Sequence, residues 1–138
     1  MLSIGDLSKR TGVKVPTIRY YEQMGLIAAA ERSEGNQRRY ERSDLERLAF
    51  IRHARNLGLD IPAIRELIAL SQHPSEPCAN ADRIAADHLA AVREKIERLR
   101  KLEHELERIV SQCDGGHSIE DCYVIRALSD HGLCESEH

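Results

Sequence analysis

Cys113 and Cys122 enclose the eight residues DGGHSIED, which include two adjacent glycines and His117. A loop of that composition is short and pliant enough to wrap an ion. Thiolate and imidazole donors suit Zn²⁺, Cd²⁺, Hg²⁺ or Pb²⁺, whereas the sequence offers no oxygen-rich cage of the kind that takes Ca²⁺ or Mg²⁺. Cys-x-x-Cys pairs are absent, so the pattern is not that of a zinc finger. The opening residues MLSIGDLSKR carry no apolar export segment. A cytoplasmic location is therefore expected, where thiols stay reduced and four cysteines are poor candidates for structural disulfides. Soft-metal binding is the expected chemistry, with a thiol redox switch as the alternative. His117 reads three ways: as a ligand, as a hydrogen-bond donor behind a ligand, or as a solvated loop residue. Cys134, with His131 and His138 in the polar tail, offers auxiliary ligands.

The element that must position Cys113 is a long helix. From Ala81 to Val110 there is no Gly or Pro, and Leu89, Val92, Ile96, Leu99, Leu102, Leu106 and Ile109 recur every three or four residues. One further step of this stripe reaches Cys113. Such a helix projects roughly 45 Å, too far to bury its apolar face against so small a body. A homodimeric coiled coil supplies the missing surface, and the alternative is a helix folded back on its own head through the Pro74 to Pro77 hinge. Cys78 lies just before this helix and 35 residues from Cys113, so within one chain the two are expected roughly 40 to 50 Å apart. If two such helices pair antiparallel, Cys78 of one subunit comes beside Cys113 and Cys122 of the other, giving a three-thiolate site across the interface. Val124, Ile125 and Leu128 predict a last short helix that packs the loop against the dimer.

The N-terminal half has a different character. Residues 1–58 hold 11 Lys and Arg against 7 Asp and Glu, a surplus of four positive charges in a chain whose net charge is −3. Only this half suits a polyanion. A first helix fits Ile4 to Arg10, capped by Ser3 and broken by Gly12. A second begins at Pro16 and runs through TIRYYEQM to Gly25. Glu34-Gly35-Asn36 marks a turn between short extended arms, a basic hairpin or wing. Ser43 with Glu46 makes a capping box for a helix carrying Leu45, Leu48, Ile51 and Leu57 to a stop at Gly58. Another helix starts at Asp60 or Ile61, presents Ile64, Leu67 and Ile68, and ends before His73-Pro74. Two short helices about a tight turn, followed by an Arg-rich hairpin, make a winged helix-turn-helix. Thr17, Arg19 and Tyr20 fall on the exposed side of the second helix, with Ile18 inward. Arg32, Arg38, Arg39 and Tyr40 cluster on the wing, and Arg52 and Arg55 add charge on the next helix.

The segments IGDLSKRTGVKVPTIRYYEQMGLI and ERSEGNQRRYERSDLERLAFIRHARNLG resemble the N-terminal domain of the MerR family of transcription regulators almost continuously over the first 70 residues. The resemblance implies DNA contacts by Thr17, Arg19, Tyr20, Arg38 and Tyr40, with Arg55 on phosphate. It implies that Cys78 marks sensors of divalent ions, since the branch sensing monovalent ions has serine there. CDGGHSIEDCYVIRAL is similar to the zinc-, cadmium- and lead-sensing branch, in which a loop cysteine and histidine complete a zinc site. It further implies a dimer that holds promoter DNA with and without metal, changes the twist or bend of that DNA for RNA polymerase, and controls metal efflux; a mercury-responsive regulator of the same fold is the neighbouring alternative.

The expectation is thus a mostly α protein: a winged helix-turn-helix head over 1–72, a hinge and dimerisation helix forming an antiparallel coiled coil over 73–112, and a metal-binding loop, short helix and tail over 113–138. No apolar run reaches the roughly 20 residues of a membrane span. Aromatics at 4% leave little to line a pocket for an organic ligand. The scattered histidines and carboxylates form no nucleophile or general-base pattern, so no enzyme is expected.

Overall fold

The computed structural model describes residues 1–28, 31–32 and 38–130, without the side chains of Glu31, Arg32 and Arg38. The chain separates into two compact units, Met1–Ile84 and Ala85–His138.

The first unit contains α1 (Ile4–Thr11), α2 (Val15–Gln23), β1 (Glu31–Arg32), β2 (Arg38–Arg39), α3 (Arg42–Asn56) and α4 (Ile61–Ser71). Ser3 starts α1 with a reciprocal cap: its hydroxyl accepts from the Asp6 amide at 3.1 Å, and the Asp6 carboxylate accepts from the Ser3 amide at 3.0 Å. Gly12 ends α1 at φ +75°, a left-handed conformation, and donates to the Ser8 carbonyl. The space beside it is filled by the Arg52 guanidinium, 2.0 Å from where a Cβ would stand. The turn between α1 and α2 therefore rests on a backbone conformation that favours glycine. Pro16 sits in the first turn of α2, where its missing N–H costs nothing.

The core of this unit is Leu7, Ile18, Leu26, Leu48, Ile51 and Ile64, all essentially without solvent contact, joined by Tyr40. β1 and β2 pair antiparallel, Glu31 opposite Arg39 and Arg32 opposite Arg38. Leu2 then bridges Tyr40 through two 2.7 Å backbone hydrogen bonds, so the N-terminal residues tie down the returning arm. The turn expected at Glu34-Gly35-Asn36 lies outside the described residues.

Two details of α3 differ from the sequence expectation. The helix starts one residue before Ser43, because the Asp44 carboxylate reaches back to accept from the Glu41 amide at 2.8 Å. Ser43 is already inside the first turn, so the Ser43–Glu46 capping box does not form. Leu57, placed on the apolar face by periodicity, is 61% exposed. Gly58 adopts φ +86° and donates to the Arg55 carbonyl, while the Leu59 amide bonds the Ala54 carbonyl at 3.1 Å. That paired closure swings Leu59, not Leu57, toward the core. Asp60 caps α4 by accepting from the Ala63 amide at 2.9 Å.

α5 runs Ala79–Ser111, and from Ala85 onward it lies in the second unit with a 3₁₀ turn at Ile119–Asp121 and α6 at Tyr123–Ser129. Among the described residues of this unit, Glu105, Ile109 and Ala127 are buried. Leu89, Ile96, Leu99 and Leu106 of the stripe are all exposed, as is Val110 beside it. Of the residues expected to pack the loop against a second copy, Val124 is half-buried and Ile125 and Leu128 are 45% and 76% exposed in the single chain, within which Ala127 is buried. No helix among the described residues is long and apolar enough to cross a membrane.

Candidate functional site

In the first unit the burial pattern of α2 sorts its residues by role. Ile18 and Tyr21 face the core, which leaves Arg19 and Tyr20 fully on the solvent side and Thr17 half-buried beside them. The Tyr20 and Tyr21 rings stand 6.0 Å apart at 51°, a tilted pair that limits how Tyr20 can swing. A cation, a phenol and a hydroxyl on one exposed helix face can read base edges and hold phosphate oxygens.

Tyr40 behaves differently from the expected DNA contact. It is fully buried, and its hydroxyl donates to Glu22 Oε1 on α2. Its side chain positions the returning arm of the hairpin against the recognition helix, and a sealed ring offers nothing to DNA directly. Glu22 is the partner that sequence reasoning missed; alternation along the arm, which sends Tyr40 to the face opposite Arg39, was the signal available. Arg38 is placed only by its backbone, in β2 opposite Arg32. Arg55 is exposed, with Nη1 donating to the Leu59 carbonyl at 2.8 Å. That bond holds the guanidinium at the C-terminal end of α3 and leaves its other donors outward.

In the second unit the structure brings Cys113 and Cys122 together, Sγ to Sγ at 4.0 Å, both half-buried free thiols. Cys113 lies two residues beyond the end of α5 and Cys122 caps α6, so the ends of two helices set the pair. Amide groups of Ile125, foremost, and Val124 at the start of α6 hold the Cys122 thiol below the ordinary thiol range, and the Cys113 sulfur adds to this against partial desolvation. In the loop, Asp114 Oδ1 accepts from the Gly116 amide at 2.8 Å and lies 3.2 Å from His117 Nδ1. These contacts, the Gly116 amide first, hold the Asp114 carboxyl below the usual carboxylate range. With Nδ1 as the donor, the His117 lone pair is on Nε2, and the ring itself is exposed.

The sulfur pair passes a geometric test for a shared ion. Two thiolates at about 2.3 Å from a tetrahedral zinc stand about 3.8 Å apart, close to the observed separation. The pair is incomplete, because among the described residues no group of three or more His, Cys, Asp or Glu side chains is gathered to hold a metal. Cys78 is exposed at the start of α5, its carbonyl accepting from the Asp82 amide, and it belongs to the first unit. Cys134, His131 and His138 lie outside the described residues.

The chain matches the family described as MerR HTH family regulatory protein over residues 2–70, and that described as MerR, DNA binding over residues 45–109. It is 38% identical over 128 residues to a Haemophilus influenzae protein named a probable heavy metal-dependent transcriptional regulator, covering 93% of this chain and 99% of that one. The HTH-type transcriptional regulator ZntR of Escherichia coli is 38% identical over 130 residues, with 93% and 92% covered. Among solved structures, the transcription regulator PbrR691 from Ralstonia metallidurans CH34 in complex with lead(II) aligns at a TM-score of 0.80 and 37% identity, covering 93% of this chain and 99% of that one.

Proposed function

Because the chain belongs to the MerR family of helix-turn-helix regulators, we propose that Cys113 and Cys122, completed by Cys78 of a second copy, form the sensor through which it responds to a divalent ion. The protein is a DNA-binding, metal-responsive transcription regulator and not an enzyme. The observation that carries the sensor assignment is the 4.0 Å approach of the two sulfurs at the ends of α5 and α6. In the reading adopted here, 1–72 is the DNA-reading head, 73–112 the hinge and pairing helix, and 113–138 the sensor loop, short helix and tail.

The head holds promoter DNA through Thr17, Arg19 and Tyr20 of α2, with Arg38 on the hairpin and Arg55 on phosphate. Tyr40 acts by positioning the hairpin. The exposed leucines of α5 pair with those of a second copy in an antiparallel coiled coil, placing two heads on a two-fold symmetric operator. Bound divalent ion supplies a charge centre that converts two or three free thiols into fixed ligands with loss of their protons. His117 joins them through Nε2, its ring oriented by Asp114 in the manner of a carboxylate behind a metal-bound histidine. Zinc, cadmium and lead all suit this donor set. The protein works in the cytoplasm beside RNA polymerase, and the genes it controls serve metal efflux.

A ligand changes a regulator only by binding one conformation more tightly than another. The seven-residue α6 and the loop before it are the natural element to be biased, since so short a helix holds little stability of its own. Cys113→Ser should abolish metal-dependent promoter activation while leaving operator affinity in the metal-free state unchanged. Induction in cells equal to that of the unaltered protein would remove Cys113 from the sensor.

A further inference from the structure

We propose that Glu105, Arg108 and Tyr123 form a clamp that presets the separation of the Cys113 and Cys122 sulfurs, making Arg108 and Tyr123 positioning residues for the metal site. The inference rests on the reading of those two cysteines as ligands.

The three side chains come from the two elements that carry the sulfurs. Arg108 lies on α5, five residues before Cys113, and Tyr123 opens α6 directly after Cys122. Arg108 Nη1 donates to the Tyr123 hydroxyl at 2.7 Å, and its guanidinium carbon stands 5.8 Å from the Tyr123 ring centre. Arg108 Nη2 donates to Glu105 Oε2 at 3.2 Å. Glu105 is 3% exposed, and the Arg108 side chain 17%. Removing both charges of an ion pair from water costs free energy that a surface pair never meets, and its return is a fixed geometry. Here the geometry so fixed is the approach of α6 to the end of α5.

The eight-residue loop does not set that approach by itself. Its bonds join near neighbours, Asp114 with Gly116 and His117 and the Ile119–Asp121 turn with Cys122, and Gly115 at φ +80° has open space around it. The 2.7 Å bond one residue from Cys122 therefore adds a constraint on the second sulfur that the loop's local bonds do not supply, because it joins α6 to α5. On α5 the Arg–Tyr bond is anchored one turn before the helix ends at Ser111, and Cys113 follows two residues later. Groups that orient ligands in this way commonly alter metal affinity 10- to 100-fold when removed.

The test uses the full chain, Cd²⁺ as the probe, a competing chelator and the thiolate-to-metal charge-transfer absorption. Tyr123→Phe keeps the ring and deletes only the hydroxyl; Arg108→Lys keeps the charge and deletes the two-pronged reach. Both should lower Cd²⁺ affinity about 10-fold or more. In the metal-free protein both should speed amide hydrogen exchange within α6, with helix content and operator binding unchanged. Unaltered affinity and unaltered α6 exchange in the two variants would overturn the clamp alone. Absence of the charge-transfer band in the unsubstituted protein would overturn the ligand assignment beneath it.

Discussion

Whether the third thiolate comes from the same chain or from a second copy can be decided by mixing two defective proteins. α5 has 33 residues, so a continuous helix of that length spans about 50 Å between the residue after Cys78 and the residue two before Cys113. A site shared between copies gives each dimer two equivalent sites, each built from Cys78 of one chain and Cys113 with Cys122 of the other. Cys78→Ser and Cys113→Ser homodimers then contain no three-thiolate site. A dimer of one Cys78→Ser chain with one Cys113→Ser chain has one site missing two thiolates and one site untouched. Differently tagged chains purified through both tags yield that mixed dimer alone, and it should bind about half the Cd²⁺ of the unaltered dimer at full three-sulfur affinity. Random reassortment without tag selection should recover about a quarter, since about half of the dimers are mixed. The readout is the charge-transfer titration in equivalents per dimer. Mixed dimers as inert as both parents would place each site within one chain, and a Cys78→Ser homodimer of full capacity would show that Cys78 is no ligand.

Two other outcomes test the scaffold. Tyr40→Phe deletes a hydrogen bond to a carboxylate in the head while keeping the ring; since Glu22 is half-buried and can rehydrate, the expected loss is about 1–2 kcal/mol in urea unfolding, with Cd²⁺ affinity unaffected, and a variant as stable as the parent would contradict the positioning role. Asp6, held below the usual carboxylate range foremost by the Ser3 amide, should stabilise the head fully above its unfolded pKa of about 3.9 and cease to do so as pH falls through the lower folded-state value. The stability gap between the unaltered protein and Asp6→Asn should therefore be constant near neutral pH and close below about pH 4; a gap that ignores pH across an acid titration followed by circular dichroism would sink that account.

Much of the architecture was legible because it depends on short-range rules. Ser3, Gly12, Pro16, Gly58 and Asp60 each impose a boundary through a local bond or a backbone angle, and the structure places a helix end within two residues of each, α2 starting at Val15 just before Pro16. The Ser43 cap failed because the Asp44 carboxylate takes the Glu41 amide and draws the helix start back to Arg42, while Glu41-x-x-Asp44 lacks the Ser/Thr-x-x-Glu/Gln types that announce a capping box. Tyr40 failed as a DNA contact for a related reason. A tyrosine after two arginines looks like part of a basic surface, and only its pairing with Leu2 and Glu22, both far away in sequence, turns it inward. The Cys113 and Cys122 pair was legible from loop length and residue type. The Glu105–Arg108–Tyr123 cluster was not, since Arg108 and Tyr123 sit 15 residues apart on different elements, and within α5 Glu105 and Arg108 look like an ordinary solvated pair.

The placement of the ligands bears on how binding could reach the DNA. Cys78 belongs to the same compact unit as the DNA-reading helices, whereas Cys113 and Cys122 belong to the other. An ion held by the latter two alone orders a loop and α6 and makes no demand on any head. An ion that also takes Cys78 of a second copy ties one chain's loop to the residue that opens the other chain's α5, a few residues after α4 of that head. Driving a regulator from 1:99 to 99:1 between two states needs roughly 10⁴-fold preference for one of them, about 5.5 kcal/mol. A third metal–thiolate bond available in only one arrangement of the two chains is a bond of the right order to supply such a preference. On the proposed assignment the two loop cysteines alone couple an ion to no head, and Cys78 both completes the three-thiolate site and ties its occupation to the promoter.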